Sequence, residues 1–451
     1  MGKAPVSSSI AGARSRGPAN YFRTMSRNIQ PVTGMKDVLA ADIGLWQHVE
    51  ASARAVMDAY GYDEIRVPVV EHTELFKRAI GEYTDVVEKE MYTFTDQGGD
   101  SLTLRPEATA GVVRAAISNG LLRGARLKLW CQGPMFRHEK PQKGRFRQFN
   151  QVDLEAIGFA GPDVDIEIIA LTARLWKLLG LTRVKLQINS LGTSESRKAY
   201  RALLQDYFRA HLDALDEDGK RRLEGNPLRI LDSKHPPTQA IVGNAPVLTE
   251  HLDAESQEHF AQFRAGLDSL GIAYTVNPRL VRGLDYYSRT VFEWTTDALG
   301  SQDAICSGGR YDGLIAQMGG EPTPAIGFAM GVERVVELVR LAGQAPAKRA
   351  PDVFVMAQGD AAQRTALVLA ESLRDAMPGL SLVVHCGQAK FKTQFRRADE
   401  SGARLALIVG DDEIARGVVA LKPLRGAEST QTEHPIAELT ARVDEFLRRP
   451  M

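Results

Sequence analysis

Apolar positions recur at helical spacing from Asp42 to Tyr60, where Trp46, Val49, Ala53, Val56 and Tyr60 share one face. Gly61 ends this expected helix, and Glu64-Ile65-Arg66-Val67 then reads as a strand. Pro68 stops the strand, because proline cannot donate to a ladder. Further strands are expected at Ser101–Leu104, Leu127–Gln132, Gln148–Gly158, Lys185–Asn189, Thr290–Trp294 and Asp303–Cys306. They alternate with helices such as Ala108–Ser118 and Asp163–Leu179. The middle and late strands are hairpin-like, which predicts an α+β fold: an antiparallel sheet with flanking helices. Residues from about 194 to 258 break this rhythm, with helices at Ser194–Leu215 and Ala254–Leu270 and a charged stretch between them. They read as a helical insertion in the sheet domain.

An Ala- and Pro-rich linker follows near Gly343–Pro351. Beyond it, strands at Asp352–Ala357, Leu380–His385, Leu405–Val409, Gly417–Lys422 and Ser429–Thr432 are expected. Helices at Ala361–Ala376, Lys392–Ser401 and Ile436–Arg448 are interleaved with them. This predicts a separate α/β domain over residues 351–451, a common domain size.

Composition narrows the classes. The chain has 451 residues, 44% hydrophobic and 25% charged, ordinary for a soluble globular protein. No apolar run approaches the roughly 20 residues that span a bilayer, so no membrane association is expected. Cys131, Cys306 and Cys386 are scattered and form no CxxC pair, which supports neither a zinc site nor a disulfide framework and fits a reducing cytoplasm. Lys plus Arg and Asp plus Glu both number 56, so nucleic acid would have to be met by a local basic patch. Residues 1–24 carry Lys3, Arg14, Arg16 and Arg23 and no acid. They read as a disordered extension, a transit peptide, or a start placed before the true one at Met25.

The densest basic run is Phe136–Phe149, a hairpin with a long loop whose cations interleave with Phe136, Phe146 and Phe149. Aromatics among cations suit stacking on bases, and the guanidinium fork of Arg137 suits phosphate oxygens. A solvated loop is the bland alternative. Other constellations are Leu104-Arg105-Pro106-Glu107-Ala108-Thr109, Leu280–Tyr287, Ser307–Gly313 and Ala325–Arg334. Each has a structural alternative. Thr109 and Glu107 serve a helix start equally well, the tyrosines serve a core, and Glu333 and Arg334 serve surface pairs. Neither GxxxxGK[ST] nor GxGxxG occurs, so any bound ATP must be held by arginine forks and Mg²⁺ rather than a glycine loop.

Together these segments resemble the histidyl-tRNA synthetases, a family of class II aminoacyl-tRNA synthetases. The likeness runs from about Met25 to Phe446. The segment ending at Pro68 resembles class motif 1, the basic hairpin motif 2, and Gly327–Arg334 motif 3. The more specific segments are Arg282-Gly283-Leu284-Asp285-Tyr286-Tyr287 and Ser307-Gly308-Gly309-Arg310-Tyr311-Asp312-Gly313, with Asn226–Asp232 in the insertion. The resemblance implies a class II catalytic core over residues 25–345 and an anticodon-binding domain over 351–451. It implies histidine—tRNA ligation in a homodimer, with L-histidine, ATP with Mg²⁺, and tRNA(His) as partners.

Residue roles follow by the same resemblance. Arg282 and Arg137 would be catalytic. Glu107, Thr109, Gln151, Glu155, Arg282, Tyr286, Tyr287, Gly308, Gly309 and Tyr311 would hold histidine, with Glu107, Thr109 and Gln151 at its α-amino end. Arg137, Arg145, Arg334, Glu139 and Phe149 would hold ATP. Gln142, Lys143, Arg396 and Arg397 would meet tRNA. No metal site made of protein ligands alone is expected. A rival expectation is a non-catalytic paralogue, the regulatory subunit of ATP phosphoribosyltransferase. Such paralogues typically lack the anticodon domain and parts of the histidine signatures, which are present here.

Overall fold

The computed structural model describes residues 29–448 except 82, 83, 125, 143, 232, 234, 301, 302, 347–349 and 427–429. The expectation for residues 1–24 therefore lies outside the described residues. Two compact units divide between residues 346 and 347.

In chain order, the strands of the first unit are β1 (Asp63–Glu64), β2 (Val70–His72), β3 (Tyr92–Thr95), β4 (Ser101–Leu104), β5 (Leu127–Phe136), β6 (Gln148–Ile157), β7 (Lys185–Ser190), β8 (Tyr274–Val276), β9 (Ser288–Thr295), β10 (Ala304–Arg310) and β11 (Ala325–Gly331). Among the described residues, eight build one sheet in the order β1-β5-β6-β11-β10-β9-β7-β8, and β2-β4-β3 form a small one. All inner pairs of the large sheet are antiparallel, as the hairpin pattern implied; the outermost pairs, β1 with β5 and β7 with β8, are parallel.

The strand expected at Glu64–Val67 is shorter and earlier. Asp63 and Glu64 pair with β5 and the Ile65 N–H donates to the Trp130 carbonyl at 2.8 Å, but the Val67 carbonyl accepts from Arg105 Nη1 at 3.1 Å. The glycines of Ser307–Arg310 lie inside β10, not beside it. Gly308 is flanked by Phe292 on β9 and Phe328 on β11.

Side chains alternate across a strand, and β6 uses this sharply. Val152, Leu154 and Ala156 enter the core with Trp176, Phe292, Phe328 and Val335. Helices Ile43–Ala59, Asp163–Leu178 and Val332–Leu341 contribute to that core. Gln151, Asp153 and Glu155 project to the opposite face.

The insertion is more ordered than its charge suggested. Helix Ser194–Arg209 is capped by Thr193, whose Oγ1 accepts from the Ser196 N–H at 3.3 Å. Short helical pieces at Glu217–Gly225, Pro227–Ile230 and Pro236–Val242 fill the charged stretch. Tyr200, Leu204, Phe208, Leu223 and Ile230 share one apolar cluster with Tyr286, Tyr287 and Tyr311.

The second unit has β12 (Val353–Gln358), β13 (Leu382–Val384), β14 (Leu405–Gly410), β15 (Val418–Pro423) and β16 (Thr432–Pro435), ordered β13-β12-β14-β15-β16. β12 runs parallel to both neighbours, and β14, β15 and β16 are antiparallel. The strand expected at Ser429–Thr432 begins at Thr432, where pairing with Leu421 starts. Helix Phe391–Glu400 docks through Gln394, fully buried. Its Oε1 accepts from the Ala357 N–H at 3.1 Å, and its Nε2 donates to the Ala357 and Ala389 carbonyls at 2.7 Å. Gln394→Ala is expected to lower stability by about 1–3 kcal/mol by leaving buried backbone groups unpaired; urea unfolding measures it.

Among the described residues, no helix is long and apolar enough to cross a membrane, and the cysteines are free.

Candidate active site

The polar face of β6 forms the base of a cleft of about 740 Å³. Twelve residues singled out from the sequence line it: Glu107, Thr109, Arg137, Glu139, Arg145, Phe149, Gln151, Arg282, Tyr286, Tyr287, Tyr311 and Arg334. They come from segments as distant as Glu107 and Arg334, which the sheet order β6-β11-β10-β9 brings side by side.

Behind one end, Glu155 is buried and not itself part of the lining; it accepts from Thr109 Oγ1 at 2.6 Å and from the Tyr311 hydroxyl, both of which line the cleft. Burial pushes its carboxyl well above the ordinary range, against the pull of those donors. Thr109 is thus tied to Glu155. The N-cap of helix Thr109–Ser118 is Ala108, and Glu107 just before it supplies an acceptor for the helix start: its Oε1 accepts from the Ala110 N–H at 2.9 Å. Burial raises the Glu107 carboxyl as well. Gly327 lies directly across from Glu155 in the β6–β11 pair, and a Cβ there would overlap Glu155 Oε2 and the Leu154 carbonyl oxygen. Tyr286 packs against Tyr287 and edge-on to Tyr311, with ring centroids 4.7 and 5.7 Å apart. Burial pushes the Tyr287 hydroxyl up to about 12, so it stays protonated and able to donate at neutral pH.

The expected pocket floor is corrected in part. Gly308 shares its face with Phe328 and Leu154, turned toward the core and away from the cleft. Gly309 lies behind Tyr287, where a Cβ would come within 3.0 Å of the Tyr287 ring. Their absent side chains make room for neighbours. Arg310 of the same motif is fully buried and pairs with Asp165, with Nη2 to Oδ1 at 2.7 Å and Nε to Oδ2 at 3.0 Å.

Arg282 donates from Nη1 to Glu293 Oε1 at 2.7 Å and from Nη2 to Ser307 Oγ. Glu293 and Ser307 are direct cross-strand partners on β9 and β10, so the fork rests on a rigid pair. The loop carrying Arg282 is gripped by the insertion: Arg229 Nη1 donates to the Arg282 carbonyl at 3.3 Å, and Asn226 donates to Asp285.

The other end is cationic. Arg137 donates from Nε to the Pro106 carbonyl at 2.9 Å and lies 5.3 Å over the Phe149 ring. Arg145 pairs with Glu139 at 2.8 Å. Arg334 donates from Nε to the Gly144 carbonyl at 3.1 Å and from Nη1 to the Ala304 carbonyl. Burial first, and then Arg145, lowers the Arg334 guanidinium, so an anion would relieve this crowding of positive charge. Glu333, read as a surface acid, is instead an anchor: it accepts from the Asn150 N–H at 2.8 and 3.0 Å and from Asn150 Nδ2 at 3.1 Å.

The hairpin loop is tighter than expected. Gln142 and Arg145 form an isolated bridge around Gly144, whose φ is +76°; Lys143 lies outside the described residues. Phe146 is covered by Lys36 at 4.5 Å and Phe149 by Arg137, so stacking on RNA bases is not what holds these rings. Arg396 and Arg397 are exposed on helix Phe391–Glu400, Arg396 only 3.9 Å from Glu400.

Asp153 and Glu293 also line the cleft and were not singled out from the sequence, and Ser307 and Gly327, which stand in two of the quoted segments but were given no role, line it too. Their signal was strand alternation: Asp153 sits midway between Gln151 and Glu155, and Ser307 pairs across from Glu293. Among the described residues, no three His, Cys, Asp or Glu side chains converge to hold a metal ion. Glu139 and Glu293, two of the acids that line the cleft, are engaged by arginines.

The sequence matches the family model for histidyl-tRNA synthetase over residues 34–335 and that for an anticodon-binding domain over 352–446. It is similar to the apo histidyl-tRNA synthetase of S. aureus, with 35% identity over 93% of this chain and 100% of that one, at a TM-score of 0.77. A histidyl-tRNA synthetase from Nostoc sp. shares the fold at 22% identity and a TM-score of 0.64, over 93% of this chain and 100% of that one. So does an ATP phosphoribosyltransferase regulatory subunit/histidyl-tRNA synthetase from Bacillus halodurans, at 22% identity and 0.59, over 84% of this chain and 97% of that one. With one family model spanning most of the chain and a 35% identical structure spanning nearly all of it, the chain belongs to the histidyl-tRNA synthetase family and is an aminoacyl-tRNA ligase.

Proposed function

We propose that this protein activates L-histidine with ATP to histidyl-adenylate, releasing pyrophosphate, and then transfers histidine to the 3′ end of tRNA(His). The observation that carries the reading is the single cleft. It joins an acidic, hydroxyl-rich end to a cationic end made by Arg137, Arg145 and Arg334, with Arg282 also in its wall.

The histidine carboxylate is ionised at neutral pH, so its attack on the α-phosphorus needs no general base. The work is positioning and charge stabilisation. Arg137 holds the α-phosphate and, stacked over Phe149, closes one side of the nucleotide site. Arg334 and Arg145 hold the outer phosphates; Arg145 leaves Glu139 to do so. Arg282, braced by Glu293 and Ser307, meets the negative charge that grows between carboxylate and phosphorus. Tyr287 and Glu155 read the imidazole; Glu155 turns from the hydroxyls of Thr109 and Tyr311, which hold it here, to do so. A site that pairs both ring nitrogens rejects apolar analogues, because unmet buried groups are costly. Gln142 and Lys143 approach the acceptor stem, and Arg396 and Arg397 with Lys390, Lys392 and Arg404 face the tRNA from the second unit. The protein works in the cytoplasm as a homodimer, through the segment ending at Pro68.

The Bacillus halodurans relative keeps a regulatory reading in view. The anticodon-domain match over 352–446 and the complete arginine set favour the enzyme. Pyrophosphate exchange into ATP, run across all twenty amino acids with Mg²⁺, is expected to depend on histidine. Its absence with pure protein would leave the regulatory reading standing.

A further inference from the structure

Asp153 is 1% exposed, lines the cleft, and has no hydrogen-bond partner on either carboxyl oxygen. Buried polar groups are nearly always paired, and an unpaired buried carboxylate is costly. The nearby cations do not serve it. Arg105 donates to the Pro134 and Val67 carbonyls, and Arg137 donates to Pro106. Its cross-strand neighbours, Cys131 on β5 and Ala329 on β11, offer no strong donor.

Gln151 Oε1, two residues earlier on the same face, is likewise buried without a partner. Three acceptor oxygens on one face of β6, in the wall of the cleft, thus lack a donor. The complementary ligand group is donor-only and cationic, with several N–H bonds, which describes an ammonium. On the other side, two residues along β6 and so about 7 Å away, Glu155 has both oxygens occupied by Thr109 and Tyr311. That spacing is comparable with the reach of histidine from its ammonium to its ring.

We propose that Asp153 accepts hydrogen bonds from the α-ammonium of bound histidine, together with Gln151, and so selects an α-amino acid over its deamino analogue. This rests on reading the cleft as a histidine site. Burial and the neighbouring Glu107 push the Asp153 carboxyl well above its ordinary range, consistent with a site that lacks a positive charge until ligand arrives.

The test compares histidine with 3-(imidazol-4-yl)propanoate, which lacks only the ammonium, by calorimetric titration of the full chain. Asp153→Asn is expected to weaken histidine binding by about tenfold or more, the loss of a charge-assisted hydrogen bond, and to leave the deamino analogue within about twofold. Thermal unfolding checks that the variant is folded; Asp153→Ser, smaller and uncharged, carries the same comparison should Asn not be tolerated. Equal weakening of both ligands, or unchanged histidine affinity, overturns the proposal. Wild-type protein that binds the analogue as tightly as histidine overturns it too. Wild-type protein that binds neither ligand removes the histidine reading itself, a different failure.

Discussion

Replacing Arg282 with alanine is expected to slow adenylate formation by about 10²–10³, the usual loss for one preorganised transition-state donor. The expectation rests on how the guanidinium is held. Glu293 and Ser307 accept from its two terminal nitrogens, and they stand opposite each other on β9 and β10, the middle of the sheet. Arg229 fixes the backbone of the same residue. A donor held on both sides loses little entropy as charge develops, so its contribution belongs to the transition state. Single-turnover formation of histidyl-adenylate measures the rate, and equilibrium titration of histidine measures ground-state binding. A slowed bound-state rate with a small change in histidine affinity is the expected pattern. Weakened binding with an unchanged rate would instead place Arg282 in the ground state. Lysine in its place is expected to recover only part of the rate, since a point charge cannot bridge Glu293 and Ser307 as the planar fork does.

Arg310→Ala is expected to destabilise the first unit by about 3–5 kcal/mol, the cost of stranding a buried charge. Both partners of the Arg310–Asp165 pair are fully buried. The remaining guanidinium hydrogens go to the Phe159 and Gly161 carbonyls and to Asp312. His259 approaches Asp165 to 3.5 Å, but burial lowers it to about 4, so it is neutral at pH 7 and supplies no second cation. Urea unfolding of the variant is the measurement. Replacing both partners, Asp165→Leu with Arg310→Met, is expected to recover most of the loss, because it removes the uncompensated charge as well as the bond. A double variant no better than Arg310→Ala would mean that packing rather than charge dominates there. Arg310 immediately precedes Tyr311, which donates to Glu155. The variant therefore also tests whether this buried pair holds the ring-reading end of the cleft in place.

Much of the site was legible through the family resemblance that short stretches of chain carry, while local chemistry alone left a structural alternative open for each stretch. Arginine next to paired tyrosines, glycines before Arg310 and Tyr311, and a basic hairpin between two apolar strands are patterns within short stretches of chain. The errors share a cause: each needed a neighbour from elsewhere in the chain. Glu64–Val67 has strand character, but Arg105 takes the Val67 carbonyl. Gly308 sits in a ligand-like motif, yet strand pairing turns it toward Phe328 and the core. Phe146 looks ready to stack on a base until Lys36 covers it.

The sequence by itself determined the elements, the alternation on β6, and the residue types that can meet an amino acid and a triphosphate, because helix and strand periodicity and side-chain chemistry are local properties. Only the tertiary structure decided which acid is spent and which is waiting. Glu155 is satisfied by Thr109 and Tyr311, Glu333 by Asn150 and Glu293 by Arg282, while Asp153 has no partner. Hydrogen-bond satisfaction and desolvation depend on groups that come from distant parts of the chain, and no spacing along one strand encodes them.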